Sequence, residues 1–230
     1  MKNSQELAAF IDHTLLKPES TSAMVEQLCK EAIQHHFYSV CVLPVFVAQA
    51  AGLLKGSDVK VCTVIGFPLG ATETRVKEVE TEVAVEQGAD EVDMVLNIGL
   101  LKSAELVKLK DDIATVIGAA KGNTVKVILE TCLLTDEEKR QACKICVEAG
   151  ADFVKTSTGF STSGATIEDV RLMRETVGSD IGVKASGGVR DYQTACAMID
   201  AGASRLGTSS GMVIVEASNA RVEKDKQTLS

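Results

Sequence analysis

Short apolar runs rich in β-branched residues alternate along the chain with longer segments in which apolar residues recur at helical spacing. The short runs lie at 11–14, 37–42, 60–65, 91–97, 124–130, 152–156, 181–185 and 204–208. The helical segments lie at 22–35, 44–54, 72–87, 104–120, 136–149, 167–177, 192–200 and 212–220. Strands that alternate with helices in this way predict an α/β fold with a parallel sheet.

The number of repeated units separates the two common parallel-sheet architectures. Eight strand–helix units match the strand count of a (β/α)8 TIM barrel. The G-x-G-x-x-G motif of dinucleotide-binding open sheets does not follow the first run. We therefore predict a single (β/α)8 TIM barrel over residues 1–220, followed by a polar C-terminal tail at 221–230 that we expect to be frayed.

The composition agrees with one large, aliphatic core. The chain has 230 residues, of which 45% are hydrophobic and only 3% aromatic, with no Trp. This length suits a single barrel domain. Because aromatic residues are scarce, the core must consist mainly of Val, Ile, Leu and Ala, which suits parallel strands buried on both faces.

The charge and the terminal sequence exclude several classes of partner. The formal net charge is −8, and the 24 Lys and Arg residues are scattered, whereas nucleic-acid binding needs clustered basic side chains. No basic start followed by an apolar stretch indicates a signal peptide, and no run approaches the ~18 apolar residues of a membrane span. We expect a cytoplasmic protein with no nucleic-acid or membrane partner.

The cysteines do not indicate a metal site. There are seven, an odd number spread through apolar segments, which is typical of reduced, buried thiols. Cys143 and Cys146 form a C-x-x-C pair, but it lies within a helical segment and the chain has only three His. Because a structural zinc site needs four ligands, we predict no bound metal.

Two lysines in consecutive strand runs are the strongest candidates for chemistry. Lys155 lies near the end of the sixth run and Lys184 near the end of the seventh. A lysine amine can attack a carbonyl to form a Schiff base, but only when it is neutral. Burial and a nearby cation both favour the neutral form, and adjacent strands are only ~4.8 Å apart. We expect one amine to be the nucleophile and the other to stay charged, unless either side chain extends to the surface.

Acidic and hydroxyl side chains occur within or at the ends of other strand runs. Asp93 in the fourth run is the candidate proton-relay partner of Lys184, with a structural ion pair as the alternative. Glu130 is a weaker candidate, which either orients the lysines or forms a supporting pair. We assign Asp12 and Thr14, at the end of the first run, to substrate binding. His13 lies between them with opposite parity and is more typical of a structural residue.

Two Gly/Ser segments, at 186–190 and 207–211, follow the last two strand runs. Barrels frequently bind phosphate at these loops, through backbone amides and a helix N-terminus. Glycine lets a backbone approach a ligand closely, and serine hydroxyls add donors. These positions predict a phosphate site.

Eight motifs in order make the chain resemble a known enzyme family. They are IDHTLLKP, CVLPVFV, CTVIGFPLG, EVDMVLNIG, KVILET, FVKTSTGF, VKASGGVR and GTSSG, and they span residues 11–211. Together they resemble the deoxyribose-phosphate aldolase family of class I, Schiff-base aldolases. The resemblance implies reversible cleavage of 2-deoxy-D-ribose 5-phosphate to D-glyceraldehyde 3-phosphate and acetaldehyde, with no metal or organic cofactor.

The resemblance also assigns roles to residues of this chain. It implies that Lys155 forms the Schiff base, that Lys184 perturbs it and relays protons, and that Asp93 donates and accepts protons. The residues assigned to phosphate or substrate binding are Gly187, Gly188, Ser209, Ser210 and Thr158. We expect a homo-oligomer, either a dimer or a tetramer.

The chain departs from some members of this family at two places. Some carry a second lysine directly after Lys-Thr-Ser-Thr-Gly that helps to hold phosphate, whereas this chain has Phe160. Phosphate binding is therefore expected to depend on the glycine amides, the serines and Arg190. Some end in a tyrosine that reaches the site, whereas this chain ends in Leu229 and Ser230.

Two alternatives to the implied activity stay open: a Schiff-base lyase for a different sugar phosphate, and a non-catalytic barrel that binds phosphorylated sugars.

Overall fold

The computed structural model describes residues 3–228, with side chains described as far as residue 220, and shows a closed barrel of eight parallel strands. The strands are β1 Ile11–Leu15, β2 Ser39–Val42, β3 Lys60–Ile65, β4 Glu91–Val95, β5 Thr124–Ile128, β6 Phe153–Lys155, β7 Gly182–Ser186 and β8 Arg205–Thr208. Each strand pairs with the next along the chain, and β8 closes the barrel on β1. The predicted TIM barrel is confirmed.

A helical segment follows every strand. The helices are α1 Ser4–Ala8, α2 Ser22–His35, α3 Val47–Leu53, α4 Thr74–Glu86, α5 Ile98–Lys102, α6 Leu106–Ala119, α7 Asp136–Ala149, α8 Ile167–Val177, α9 Tyr192–Asp200 and α10 Gly211–Thr228. Side-chain oxygens of Thr21, Thr135, Thr166 and Asp191 cap the first turns of α2, α7, α8 and α9. These caps satisfy amides that have no partner within the helix, so all four helices begin where the sequence pattern predicted.

The helices differ from the sequence prediction at a few places. The short helices α1 and α5 were not predicted, because each has too few residues to show a helical period. The last helix continues to Thr228, beyond the predicted end at residue 220. Residues 229–230 of the predicted tail lie outside the described residues, and the division at residue 220 stays a prediction. No described helix is both long and apolar enough to cross a membrane.

Alternate strand residues face two different environments. Val92, Met94, Val125 and Val127 belong to the main apolar core, which lies between the barrel and the helices. The residues between them include Asp93 and Lys126, which are fully buried inside the barrel. Because successive side chains of a strand point to opposite faces, one apolar run supplies both the aliphatic core and a charged interior.

A second buried charge pair lies outside the barrel and joins two helices. Lys77 of α4 and Asp112 of α6 are both fully buried, and their Nζ and Oδ2 atoms are 2.6 Å apart. Thr74 Oγ1 donates to the other carboxylate oxygen at 2.7 Å, and Lys77 Nζ also donates to the carbonyl of Val95 at 3.2 Å. These bonds tie α4 and α6 to the end of β4.

Candidate active site

The two predicted lysines meet at one carboxylate in the middle of the barrel. Lys155 and Lys184 are directly paired across β6 and β7. Their amines donate to Asp93 Oδ2 at 2.8 and 2.7 Å, respectively. At most 3% of any of these three residues is exposed. The alternative in which the lysines extend to the surface is therefore excluded.

This cluster continues into a larger set of buried charges, here called the central network. Its members are Asp12, Glu91, Asp93, Lys126, Lys155, Lys184 and Arg205. Lys126 Nζ donates to Asp93 Oδ1 at 2.8 Å and to Glu91 Oε2 at 2.6 Å. The guanidinium of Arg205 joins Glu91 to Asp12, and Asp12 also pairs with Lys184.

Sequence reasoning missed three members of the network: Glu91, Lys126 and Arg205. A usable signal was present, because each lies inside an apolar strand run, where an unpaired charge would be costly. Lys126 is directly paired with Asp93 in the register of β4 and β5. That register could not be read from the sequence alone, since it depends on how the strands are staggered around the barrel.

Electrostatics fix the charge states of most of the network. Burial alone would raise the pKa of Asp93, but Lys126, Lys155 and Lys184 hold it well below its usual range. Burial would likewise raise the pKa of Asp12, and Lys184 and Arg205 lower it. Asp93 and Asp12 are therefore carboxylates in the resting site.

The basic members respond in the opposite sense. Burial alone would lower the pKa of Lys184, but the carboxylates of Asp12 and Asp93 outweigh burial and raise it. The pKa of Lys126 is also raised well above its usual value, because Asp93 and other anionic groups outweigh its burial. Both side chains are thus held as ammonium ions.

Aromatic rings close the lower, N-terminal end of the barrel. The Arg205 guanidinium lies over the Tyr38 ring, 3.4 Å from its centroid, and 5.9 Å from the centroid of Phe153. A Cβ atom at Gly182 would lie 2.1 Å from the Phe153 ring, so glycine leaves the space that this ring occupies. The charges therefore lie above an aromatic floor, and the site opens toward the C-terminal end.

A cleft of about 370 Å³ opens at that C-terminal end, with Lys155 among its lining residues. The predicted residues Thr14, Thr158, Gly187, Gly188 and Ser209 also line it. The full lining is Thr14, Leu15, Leu16, Lys17, Lys155, Thr158, Gly159, Phe160, Ser186, Gly187, Gly188, Val189, Arg190, Gly207, Thr208 and Ser209. The structure thus brings most of the predicted binding residues around the candidate nucleophile.

Two predicted binding residues do not line this cleft. Asp12 is fully buried, and its carboxylate contacts Lys184 and Arg205 within the network. The backbone amide of Ser210 donates to Thr208 Oγ1 at 2.9 Å, and Ser210 is not among the lining residues. Asp12 therefore lies where it can set the charge of Lys184.

The loops after β6 and β7 approach each other closely at the cleft. A Cβ atom at Gly164 would lie 2.1 Å from the carbonyl oxygen of Gly187, and Gly187 has a φ of 81°. The amide of Ala165 donates to that same carbonyl at 2.9 Å. Glycine is required at both positions, because any side chain at residue 164 would push the Gly187–Gly188 loop out of place.

Basic side chains at the cleft supply charge for an anion. Lys17 and Arg190 both line the cleft, and both are exposed. Arg190 was expected to contribute, whereas Lys17 was missed although it lies only three residues after the first strand run. Phe160, which replaces the lysine of some family members, is half exposed and packs edge-on against Phe67 with ring centroids 5.3 Å apart.

The cysteines and His13 have structural surroundings. All seven cysteines are free thiols, and burial raises the pKa of the Cys143 thiol to about 12. Cys41, Cys62 and Asp93 offer atoms within 4.8 Å of one another, the spacing of a metal site. The ammonium groups of Lys126 and Lys184, which both donate to Asp93, oppose a cation there. Burial lowers the pKa of His13, whose Nε2 lies 2.8 Å from Glu31.

Comparisons with known proteins agree with this geometry. The profile of the DeoC/LacD family aldolases matches residues 7–217. The deoxyribose-phosphate aldolase of Brevibacillus brevis is 66% identical over 206 residues, which are 90% of this chain and 93% of that protein. The one from Exiguobacterium sibiricum is 63% identical over 210 residues, which are 91% of this chain and 95% of that protein.

A solved structure shows the same similarity in three dimensions. The deoxyribose phosphate aldolase from Aeropyrum pernix, described as a unique tetramer, superposes with a TM-score of 0.88 at 37% sequence identity. The match covers 94% of this chain and 92% of that chain. The likeness therefore extends over the whole barrel.

Proposed function

Because the chain belongs to the DeoC/LacD family of aldolases, we propose that it is a lyase that reversibly cleaves 2-deoxy-D-ribose 5-phosphate. The products are D-glyceraldehyde 3-phosphate and acetaldehyde, and the reaction passes through a Schiff base on Lys155. The partners are therefore a phosphorylated sugar and aldehydes, and the chemistry needs no metal or organic cofactor.

One observation carries this proposal: among the described basic side chains of the central network, only Lys155 lines the cleft. Lys126 and Lys184 have raised pKa values and are held as ammonium ions, and Arg205 is always charged. None of these three residues lines the cleft, whereas Lys155 lies where a substrate carbonyl can reach its amine.

The geometry supports a sequence of proton and electron transfers. Neutral Lys155 attacks the C1 aldehyde of the open-chain sugar, and the carbinolamine loses water to form an iminium. The 3-hydroxyl gives its proton to a water held by Asp93 and Lys184, and the C2–C3 electron pair moves to the iminium nitrogen. Glyceraldehyde 3-phosphate leaves, a proton returns to C2 of the enamine, and water releases acetaldehyde and the free amine.

Asp93 can serve this cycle because it contacts both amines through one oxygen. The Asp93 carboxylate can therefore accept a proton from the substrate hydroxyl and return it, while the Lys184 ammonium, which can only donate, stabilises the negative charge of that carboxylate. General acid–base assistance of this kind contributes about 10²–10⁴-fold to a rate.

The loops of the cleft supply binding energy remote from the reacting bond. Gly187, Gly188 and Ser209 lie in the same cleft as Lys155, together with the exposed basic side chains Lys17 and Arg190. A phosphate held there fixes the far end of the sugar, so that C1 stays near the Lys155 amine. We assign these residues to the phosphate.

Reductive trapping tests the nucleophile. Acetaldehyde and borohydride together should convert the Lys155 imine to a stable N-ethyl amine, located by peptide mass spectrometry. The Lys155→Arg variant lacks the amine that forms the imine and should show no adduct within the barrel. An adduct at Lys184, or none at all in the unaltered protein, would reject Lys155 as the Schiff-base residue.

A substrate comparison separates the two alternatives. Cleavage of deoxyribose 5-phosphate without cleavage of fructose 1,6-bisphosphate is the expected result. The reverse preference would identify a Schiff-base lyase for another sugar phosphate. Binding of both sugars without turnover of either would indicate the non-catalytic barrel.

We also propose a homo-oligomer, a dimer or a tetramer, in the cytoplasm. The tetramer described for the Aeropyrum pernix enzyme supports assembly. The scattered basic residues and the net charge of −8 support the expectation that nucleic acid is not a partner. Sedimentation equilibrium at several protein concentrations measures the mass, and a monomer at all of them would reject the assembly.

A further inference from the structure

Glu130 is a buried acidic residue with an unusual backbone conformation. It directly precedes the 3-10 turn Thr131–Leu133, with φ 57° and ψ 62°, and only 3% of it is exposed. A non-glycine residue in the left-handed region is uncommon and costs free energy, and such strain tends to persist at functional sites. Because glycine would adopt this conformation without strain, we infer that the Glu130 side chain itself has a role.

Both carboxylate oxygens of Glu130 are committed to one residue of the next strand loop. Oε1 accepts the backbone amide of Thr158 at 3.3 Å, and Oε2 accepts the Thr158 hydroxyl. The hydroxyl in turn accepts the backbone amide of Phe160 at 3.0 Å. One buried carboxylate thus fixes the conformation of the segment from Thr158 to Phe160.

This segment forms part of the cleft, whereas Glu130 does not. Thr158, Gly159 and Phe160 line the cleft beside Lys155, and Glu130 is absent from the described lining residues. Because both of its donors point to Glu130, Thr158 has no donor left for a phosphate oxygen. The contribution of Thr158 to binding is therefore the shape of the segment, and Glu130 sets that shape.

A Cβ atom at Gly187 would lie 3.6 Å from Gly159 Cα, so segment 158–160 adjoins the Gly187–Gly188 loop. We propose that Glu130 is a positioning residue that holds segment 158–160 beside this loop and so shapes the phosphate end of the cleft. The inference rests on the proposed function for its substrate, a sugar phosphate. Glu130 acts through Thr158 and does not itself touch the substrate.

The first test compares a phosphorylated with an unphosphorylated substrate. In Glu130→Ala, kcat/KM for deoxyribose 5-phosphate should fall about tenfold or more, mainly through KM, because bonds to a charged acceptor are lost. With 2-deoxyribose, which has no phosphate to place, the loss should be less than about threefold. Glu130→Gln keeps one acceptor oxygen and should recover part of the difference.

Thr158→Val gives a matched control from the other side of the contact. It removes the hydroxyl, which donates to Glu130 and accepts the Phe160 amide, but keeps the backbone amide bond, so its loss should lie between that of Glu130→Gln and that of Glu130→Ala. Borohydride trapping of Lys155 with acetaldehyde should be retained in all three variants. Equal losses with both substrates together with a lower Tm, or no loss with either, would overturn the positioning role.

A binding measurement keeps this proposal separate from the proposed function. Titration with inorganic phosphate, followed by calorimetry, needs no turnover. Weaker phosphate binding by Glu130→Ala than by the unaltered protein supports the positioning role. This holds even if neither sugar is cleaved, because the absence of cleavage would reject only the aldolase activity. Equal phosphate binding by both proteins would reject the positioning role.

Discussion

The amines of Lys155 and Lys184 donate to the same oxygen of Asp93, at 2.8 and 2.7 Å, from directly paired positions on β6 and β7. Two ammonium groups held this close repel each other, so the loss of one proton relieves the repulsion. Lys184 has Asp12 as a second carboxylate partner, and the two carboxylates raise the pKa of Lys184, so it stays an ammonium ion beside the candidate nucleophile.

Replacement of Lys184 by Leu should shift the pH–rate profile toward alkaline pH. The change removes the neighbouring cation and leaves Asp93 to favour the ammonium form of Lys155. We expect kcat at neutral pH to fall about 100-fold or more, since both the charge and the proton relay are lost, and the fall to shrink at higher pH. An unshifted profile would show that the two amines do not interact.

The sequence predicted the strand and helix order because two periodicities were clear. Strand β3 has the predicted bounds because its apolar run is clear, and helices α2, α7, α8 and α9 have them because an apolar pattern coincides with a capping residue at the start of each helix. The predicted strand β4 extended two residues too far, to Asn97, because Leu96 continues the apolar run and its amide still donates to the carbonyl of Ile128 at 2.9 Å, one residue beyond the end of the strand. Such endings depend on tertiary packing.

The site was predicted only in part, for a physical reason. Lys155 and Lys184 stood out because charged residues near the ends of barrel strands suggest chemistry, and Asp93 stood out because an acid inside a barrel strand normally pairs with a cation or transfers protons. Glu91, Lys126 and Arg205 lie deeper, and their partners come from strands distant in sequence, so parity alone could not pair them. The Glu130–Thr158 contact joins two loops, which no sequence period describes.

The buried Lys77–Asp112 pair should stabilise the fold without contributing to catalysis. Asp112→Ala leaves the fully buried Lys77 ammonium without its carboxylate, so we expect the free energy of unfolding to fall by about 3–5 kcal/mol. The double change Lys77→Met with Asp112→Leu should cost less, because no buried charge is left unpaired. Urea unfolding measures both, and a double variant as unstable as Asp112→Ala would contradict this reasoning.

Acid should destabilise the protein through the central carboxylates. Asp12 and Asp93 have pKa values lowered by their cationic neighbours in the folded state, so their contribution is present above the unfolded value near ~3.9 and is lost as pH falls below it. We expect the free energy of unfolding to fall below about pH 4. Asp12→Asn should have a lower free energy of unfolding at pH 7 than the unaltered protein and should lose less of it between pH 4 and pH 2. If the slope of the free energy of unfolding against pH were the same in both proteins, Asp12 would not be one of the titrating groups.

Lys17 and Arg190 should act on the phosphate alone. Both line the cleft and are exposed, and a contact between exposed charges typically contributes up to about 1 kcal/mol, somewhat more when the partner is a phosphate. Replacing either by Ala should raise KM for deoxyribose 5-phosphate about three- to tenfold and leave 2-deoxyribose turnover unchanged. Lys144→Ala, an exposed position on α7, is the control for lost surface charge. The KM increase should also shrink at high salt, because salt screens exposed charges; a salt-independent increase shared by both substrates would show that these side chains support the loops and not the phosphate.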